Sequence, residues 1–424
     1  MSQDITRRTL LKGTLGSALA APLVGSALVA PLVTAAANAA EPQAAEPGFA
    51  GPETPYQPDQ FPADSQLFWA PGLPGGGQLE VRMFQSLDIY LNPGNYDPDD
   101  VQIAKNVKWF NLQSWYENYI AMAQKNEAIA KSAGTPTQAN KYYRRAANYY
   151  KNPLSYLSEH DPRMLPTYMK LVEMYNSAWT VVPPPFESIQ IPYEGQMLQG
   201  EFYAAGGRAP VVVAYGGADG ILLGGSPSGG PWTSRGMSYL AFDAPGQGGA
   251  LRLQKLYVPP DTERIGQAVV NYLKTRSDVD LDRSGIYGSS FGGYTAPRVC
   301  TGVKEFKACG VWSGAFDGLR DLFDYYPPIR DKMRWIIGAK NLQDARAKME
   351  QYTLKNRVDE IEAALLVGYS TDDRVMNHYG ALELYDKAVN ARSRETVQGT
   401  GHTGPNSFVV DRTTVFANWF ATQL

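Results

Sequence analysis

The sequence predicts an α/β fold: a mostly parallel central sheet preceded by an N-terminal helical module. Three observations carry that expectation. Short apolar runs at residues 209–215, 237–242, 308–312 and 363–368 stand between helix-like stretches, the pattern of buried parallel strands joined by helical crossovers. Before them, from about residue 95 to 180, apolar residues recur every three or four positions, the period of amphipathic helices. Finally, Gly288-Ser289-Ser290-Phe291-Gly292 follows the strand-like Ile286 and Tyr287 and leads into a helix-forming run ending near Val299. That spacing forces a sharp strand-to-helix turn at Ser290 and leaves its hydroxyl exposed.

Taken in order, the chain divides into four parts. Residues 1–39 carry the twin-arginine signature Thr6-Arg7-Arg8-Thr9-Leu10-Leu11-Lys12, then an Ala/Leu/Val run and the small-residue site Ala37-Asn38-Ala39. An Ala- and Gly-rich run of modest hydrophobicity fits a cleaved export signal better than a membrane anchor, so a periplasmic or secreted location is expected. Residues 40–94 are rich in Pro and Gly and read as a linker. Residues 95–182 read as a helical cap module. Its first helix is expected near Asp99 or Asp100, either of which can cap it. Trp109, Leu112, Trp115, Tyr116, Tyr119 and Met122 share one helical face, and a second helix follows Pro136. A third carries Leu165, Tyr168, Met169, Val172, Tyr175 and Trp179 in helical spacing. Residues 183–424 read as the catalytic domain, opening on two antiparallel strands joined at Glu194-Gly195.

Composition narrows the function. Of 424 residues, 44% are apolar, enough for a sizeable core. Without residues 1–39, which hold three basic residues and one acid, the formal net charge moves from −3 to −5. A mildly acidic chain with no basic tail argues against nucleic acid and stable membrane anchoring; a small-molecule substrate, apolar or aromatic, is expected, and a homodimer is compatible. Two cysteines, Cys300 and Cys309, leave a bridge or two buried thiols open. The three histidines, at 160, 378 and 402, show no zinc-ligand spacing, and no metal or organic cofactor is implied.

The Ser290 turn needs a base and an orienting acid. Asp373 stands beyond the apolar run 364–368, with Asp372 as its competitor, and His402 lies in a Gly-flanked loop 29 residues later. The spacing leaves room for one helix and one strand between them. Asp373 is preferred because Asp-Arg-Val is a frequent form of this loop. Ser, acid, His is the chain order of the α/β-hydrolase fold, which is the fold class expected here. His402 would take the Ser290 proton while Asp373 fixes its tautomer. The N–H of Phe291, and that of Ala218 or Gly217 in the glycine turn after residue 215, would form an oxyanion hole. Trp312, Ser313 and Phe316 are weaker candidates for the cleft. His378 reads as a surface residue on a helix, and His160 could approach substrate from the helical module.

These residues, together with Trp109, Trp115, Arg144-Arg145-Ala146-Ala147, Tyr149-Tyr150, Val213-Ala214-Tyr215-Gly216-Gly217 and Asp243-Ala244-Pro245-Gly246-Gln247-Gly248, resemble the 2,6-dihydroxypseudooxynicotine hydrolase group. That group includes the fungal yellowish-green pigment hydrolases and is related to the fermentation-respiration switch esterases. The likeness spans about residues 100–424. It implies a serine hydrolase that cleaves a C–C bond beside a carbonyl, or an ester, in an aromatic or polyketide-like compound, with Ser290, Asp373 and His402 as the triad. The export signal and Tyr215 before the glycine pair depart from the group's pattern. The rival readings are a general carboxylesterase, a peptidase-like amidase, and a non-catalytic binding protein on a hydrolase scaffold.

Overall fold

The structure is a computed structural model and describes residues 94, 96–108, 111–218, 220–223, 228–371, 373, 375–399, 402 and 412–424. The expected signal peptide and nearly all of the linker lie outside the described residues, as do Trp109, Asp219 and Asp372.

Four helices come first. α1 (Pro98–Asn106) is capped by Asp97, whose carboxylate accepts from the Asp99 N–H at 2.9 Å. The cap thus lies two residues before Asp99, and Asp99 and Asp100 fall in the first turn. Pro98 suits the first helical position, where its missing N–H leaves nothing unsatisfied. α2 (Leu112–Lys131) and α3 (Pro136–Lys151) start at Asn111 and Thr135, each accepting from an N–H three residues on. In α4 (Met164–Val181) the buried stripe runs through Met164, Tyr168, Leu171, Tyr175 and Ala178. Leu165 and Met169, expected on the apolar face, are 45% and 48% exposed. Turns of 3.6 residues that place Tyr168 and Tyr175 inward rotate these neighbours outward.

Arg145 ties the module together. It donates to both oxygens of Asp97 (2.5 and 2.6 Å), to Asp99 (2.6 Å) and to Asn126 (3.0 Å). Burial opposes ionisation of Asp99, but donors from Asn126, Arg145 and Lys125 outweigh it and hold its pKa down to about 2.

The sheet that follows has the order β1-β2-β4-β3-β5-β6-β7-β8. β1 (Glu187–Tyr193) and β2 (Gln196–Tyr203) are antiparallel across a turn in which Glu194 and Gly195 both have positive φ, as a two-residue hairpin of this hand requires. β2 also runs antiparallel to β4 (Ser238–Phe242). From β4 onward every pairing is parallel: β3 (Ala209–Tyr215), β5 (Val279–Ser289), β6 (Phe306–Trp312), β7 (Ala364–Tyr369) and β8 (Arg394–Gln398).

Strand alternation divides the core. Val211 and Val213 of β3 pack with Ile265 and Val269 of α5 (Glu263–Leu273) and Val299 of α6 (Gly292–Gly302), in a cluster that also holds Trp115, Tyr150 and Tyr168 of the helical segment. Val212 faces the other way, with Trp312, Trp232 and the Phe416 and Phe420 rings of the C-terminal helix Arg412–Gln423. Because both faces are covered, β3 and β7 read as continuous apolar runs, whereas β1 at the antiparallel edge alternates. Cys300 on α6 and Cys309 on β6 are both buried and free. Burial, and then the neighbouring Cys300, pushes the Cys309 thiol well above its ordinary range.

Candidate active site

The site forms where β5 ends. Ser290 has φ 58°, a left-handed conformation that a non-glycine residue keeps only when its surroundings impose it. Here its N–H donates to the Trp312 carbonyl of β6 at 2.9 Å, and its own carbonyl accepts from the Gly293 N–H at 2.8 Å. Two glycines make the turn sterically possible. A Cβ on Gly288 would lie 2.0 Å from the Gly292 carbonyl oxygen, and one on Gly292 would lie 2.6 Å from the Tyr215 and Gly216 oxygens. α6 then starts at the turn, directing its N-terminal dipole at the hydroxyl.

Ser290, His402 and Asp373 form one bonded chain. His402 Nε2 lies 2.9 Å from Ser290 Oγ, and His402 Nδ1 lies 2.9 and 3.1 Å from the two Asp373 oxygens. Asp373 follows β7, is nearly fully buried, and accepts from the Val375 and Met376 N–H groups at 2.9 Å each. Those bonds orient the carboxylate from behind. An imidazole so placed can take a proton at Nε2 while Asp373 holds Nδ1–H and stabilises the cation.

Gly217, Ala218 and Phe291 meet beside Ser290. A Cβ on Gly217 would stand 2.9 Å from Ser290 Cβ, so only glycine lets this backbone approach so closely. All three line a small cavity, no larger than about one water, whose lining also holds Gln247, Val258 and Ile336. Tyr215, immediately before the glycines, is buried edge-on to Phe242 at 5.0 Å; its hydroxyl has no hydrogen-bond partner among the described residues.

Several positioning contacts escaped the sequence reading. Gln247 Nε2 donates to the carbonyls of Gly216 (2.6 Å) and Gly217 (3.0 Å), while the Gly248 N–H donates to Gly220 at 2.9 Å. The Asp243–Gly248 segment therefore clamps the loop that carries Ala218. Asp243 itself accepts from the Leu222 and Gly249 N–H groups, and burial raises its carboxyl above the ordinary value. Trp312 Nε1 (2.8 Å) and Ser313 Oγ (3.2 Å) both donate to the His402 carbonyl, and Tyr325 OH donates to that of Asp373 at 3.1 Å. Trp312 and Ser313 thus hold the histidine backbone, whereas Phe316 is buried in the core. The other two histidines lie apart from this bonded chain. His378, expected at the surface, is instead half-buried at the start of the helix His378–Lys387 between the Tyr369 and Tyr379 rings, its pKa lowered by burial against the charge of Asp373, and His160 is exposed beside Glu159. The sequence signals for these supports were the Gly-Gln-Gly spacing at 246–248 and the weaker placing of Trp312 and Ser313 at the cleft. Among the described residues no cluster of His, Cys, Asp or Glu is arranged to hold a metal.

A nucleophile turn at the end of a parallel strand, with acid and histidine returning after later strands, defines the serine α/β-hydrolase class. The prolyl oligopeptidase family model matches residues 266–424, the stretch that carries Ser290, Asp373 and His402. Hydrolase LUC6 of Fusarium sp is 32% identical over 311 residues, covering 60% of this chain and 72% of LUC6. The 20-hydroxy-prefusarin hydrolase FUS2 of Gibberella moniliformis is 32% identical over 241 residues; the match covers 52% of this chain but only 56% of FUS2. The solved 2,6-dihydroxy-pseudo-oxynicotine hydrolase shares the fold, with a TM-score of 0.65 at 20% identity over 80% of this chain and 95% of that one. The chain belongs to the α/β-hydrolase family of LUC6 and FUS2, and is a hydrolytic enzyme acting on a carbonyl substrate.

Proposed function

We propose that this chain is an exported serine hydrolase that cleaves a C–C bond or an ester in an aromatic or polyketide-like compound, using Ser290, His402 and Asp373. The observation that carries the reading is the unbroken Ser290–His402–Asp373 chain of contacts near 2.9 Å at a left-handed serine. Ser290 Oγ attacks the substrate carbonyl carbon as its proton passes to His402 Nε2. The resulting oxyanion accepts from the Phe291 and Ala218 N–H groups. Collapse expels the leaving group, which takes the proton from Nε2. Water then adds to the acyl-enzyme, losing its proton to His402, and the carboxylic acid leaves as Ser290 recovers that proton. A leaving carbanion stabilised by a neighbouring carbonyl or aromatic ring gives C–C hydrolysis; a leaving alkoxide gives esterase action.

The name of FUS2 as a 20-hydroxy-prefusarin hydrolase supports a small-molecule substrate. The prolyl oligopeptidase match supports amide cleavage as the second reading. A panel of p-nitrophenyl esters, aryl β-diketones and peptide anilides, run beside Ser290→Ala, separates the three. Diketone cleavage well above ester and anilide turnover supports the C–C reading; anilide turnover above both transfers the proposal to the amidase. Export is tested separately: replacing Arg7 and Arg8 by Lys should retain the protein in the cytoplasm, and unchanged export would sink that part.

A further inference from the structure

On the serine-hydrolase reading proposed above, we infer that Lys151, at the end of α3 in the helical module, is a positioning residue for the loop that carries the Ala218 oxyanion donor. Lys151 is the last residue of α3 and is half-buried. A lysine there ordinarily serves its own helix, facing the last carbonyls and the negative end of the dipole. This one reaches elsewhere: its Nζ donates to the Ile221 carbonyl, 70 positions on, at 2.8 Å. The Asn148 carbonyl of α3 is taken instead by the backbone N–H and side-chain amide of Asn152. The helix is well anchored at this end. Tyr149 and Tyr150 are buried, and their hydroxyls donate to Asp100 (3.1 Å) and Glu127 (2.9 Å).

The bond to Ile221 closes one side of a clamp. The Ile221 carbonyl and the Leu222 N–H belong to one planar peptide unit and point in opposite directions across it. Lys151 holds the carbonyl, and the Asp243 carboxyl, just past β4, accepts from the N–H at 2.7 Å. One peptide is thus gripped at both poles, by a cation of the helical module and an acid of the sheet. Charge favours the arrangement. Burial raises the carboxyls of Asp243 and Glu201, and the Lys151 ammonium is among the groups that oppose both rises. The grip is passed back towards Ala218 over a few bonds. The Gly220 N–H donates to the Gly217 carbonyl, and the Gly220 carbonyl accepts from the Gly248 N–H, both at 2.9 Å. With glycine at 216, 217 and 220 this turn has little stiffness of its own, so bonds from outside decide where the Ala218 N–H points. Gln247 holds its entrance; Lys151 and Asp243 hold its exit. A well-aimed donor counts in the transition state, where charge gathers on the substrate oxygen, and little before it.

The full chain is labelled with an alkyl fluorophosphonate, whose P=O oxygen must enter the oxyanion hole as Ser290 attacks phosphorus and fluoride leaves. Lys151→Met keeps the side-chain length and removes the donor. It should slow the saturating labelling rate about tenfold, with the half-saturating concentration nearly unchanged. Lys151→Arg, which can still donate to Ile221, should recover most of that rate. On p-nitrophenyl acetate and its thiono analogue, preference for the oxygen ester should shrink roughly threefold or more in Lys151→Met, because sulfur accepts poorly from the hole's donors. End-point labelling counts folded sites, so unfolded chains do not enter the rates. If Lys151→Met shows no sites, Lys151→Gln, which keeps a donor one atom shorter, takes its place and should label a few-fold more slowly than the native chain. An unchanged rate and preference, a change confined to the half-saturating concentration, or an Arg variant no faster than the Met variant would overturn the inference. Ser290→Ala tells this failure from that of the serine-hydrolase reading. Labelling of Ser290→Ala at the native rate would sink the triad; a silent Ser290→Ala beside a normal Lys151→Met would sink only the role of Lys151.

Discussion

Ser290 holds a backbone conformation that costs a non-glycine residue roughly 1–2 kcal/mol, and the Trp312 and Gly293 contacts maintain it. Ser290→Ala keeps that backbone and those contacts, so the melting temperature should stay unchanged while kcat on p-nitrophenyl acetate falls by roughly 10³-fold or more. Gln247 is expected to act one step removed. Its amide holds the carbonyls of Gly216 and Gly217, and so fixes where the Ala218 N–H points. In Gln247→Ala the loop loses both bonds. A misplaced oxyanion donor weakens transition-state binding more than substrate binding, so kcat should drop on the order of 10- to 100-fold with KM nearly constant. A rise in KM at unchanged kcat would show that Gln247 shapes substrate binding instead. Both residues stand in glycine-rich motifs that the sequence exposes, but only Ser290 could be assigned a task from the motif. Gln247 acts through two backbone carbonyls some thirty positions away, which no local pattern encodes.

At the scale of elements, the turn from β5 into α6 and the start of α1 show how local sequence becomes geometry. Gly288→Ala would drive a methyl to within 2.0 Å of the Gly292 backbone oxygen, and neither backbone can yield without breaking the turn. A loss of about 3 kcal/mol is expected in urea unfolding. At α1, Asp99 has a folded pKa of about 2 against an ordinary 3.8. Such a carboxyl contributes stability in full above 3.8, and that contribution is lost as pH falls through about 2. Asp99→Asn should lower the melting temperature at pH 7 and flatten its decline between pH 4 and pH 2. An equally steep acid limb in the variant would mean other carboxylates govern it. Helix existence was legible here because apolar spacing and Pro136 announce it. The cap at Asp97 and the inward stripe of α4 were not, because each depends on how the helix is rotated against its neighbours.

On the scale of the whole molecule, one buried acid joins the helical segment to the sheet. Glu201 of β2 accepts from Tyr175 OH of α4 and, at 2.5 Å, from Tyr203 OH. Burial raises its carboxyl above the ordinary 4.5, and the two tyrosines only partly offset this. A carboxyl raised in the folded state binds more protons folded than unfolded. Its contribution is therefore full below 4.5 and is lost as pH rises through the folded value. Glu201→Gln should remove that part of the pH dependence, seen as a flatter melting profile as pH rises above 4.5. Tyr175→Phe should cost about 1–3 kcal/mol by stripping a donor from a buried acceptor. An unchanged profile in Glu201→Gln would show that the carboxyl titrates as it does in the unfolded chain.

The sequence by itself determined the fold class and singled out Ser290, His402 and, ahead of Asp372, Asp373 as the candidate triad. Strand runs, the Gly-x-Ser-x-Gly turn and the order serine, acid, histidine are local patterns, and local backbone sterics and burial enforce them. The tertiary structure alone decided what surrounds them. It placed Trp312 and Ser313 under the His402 backbone, Gln247 on the glycine loop, and Arg145 among the acids of α1. It also turned Leu165 and Met169 outward. These contacts join segments separated by tens of residues, and their geometry follows from how the layers pack, which no sequence period specifies.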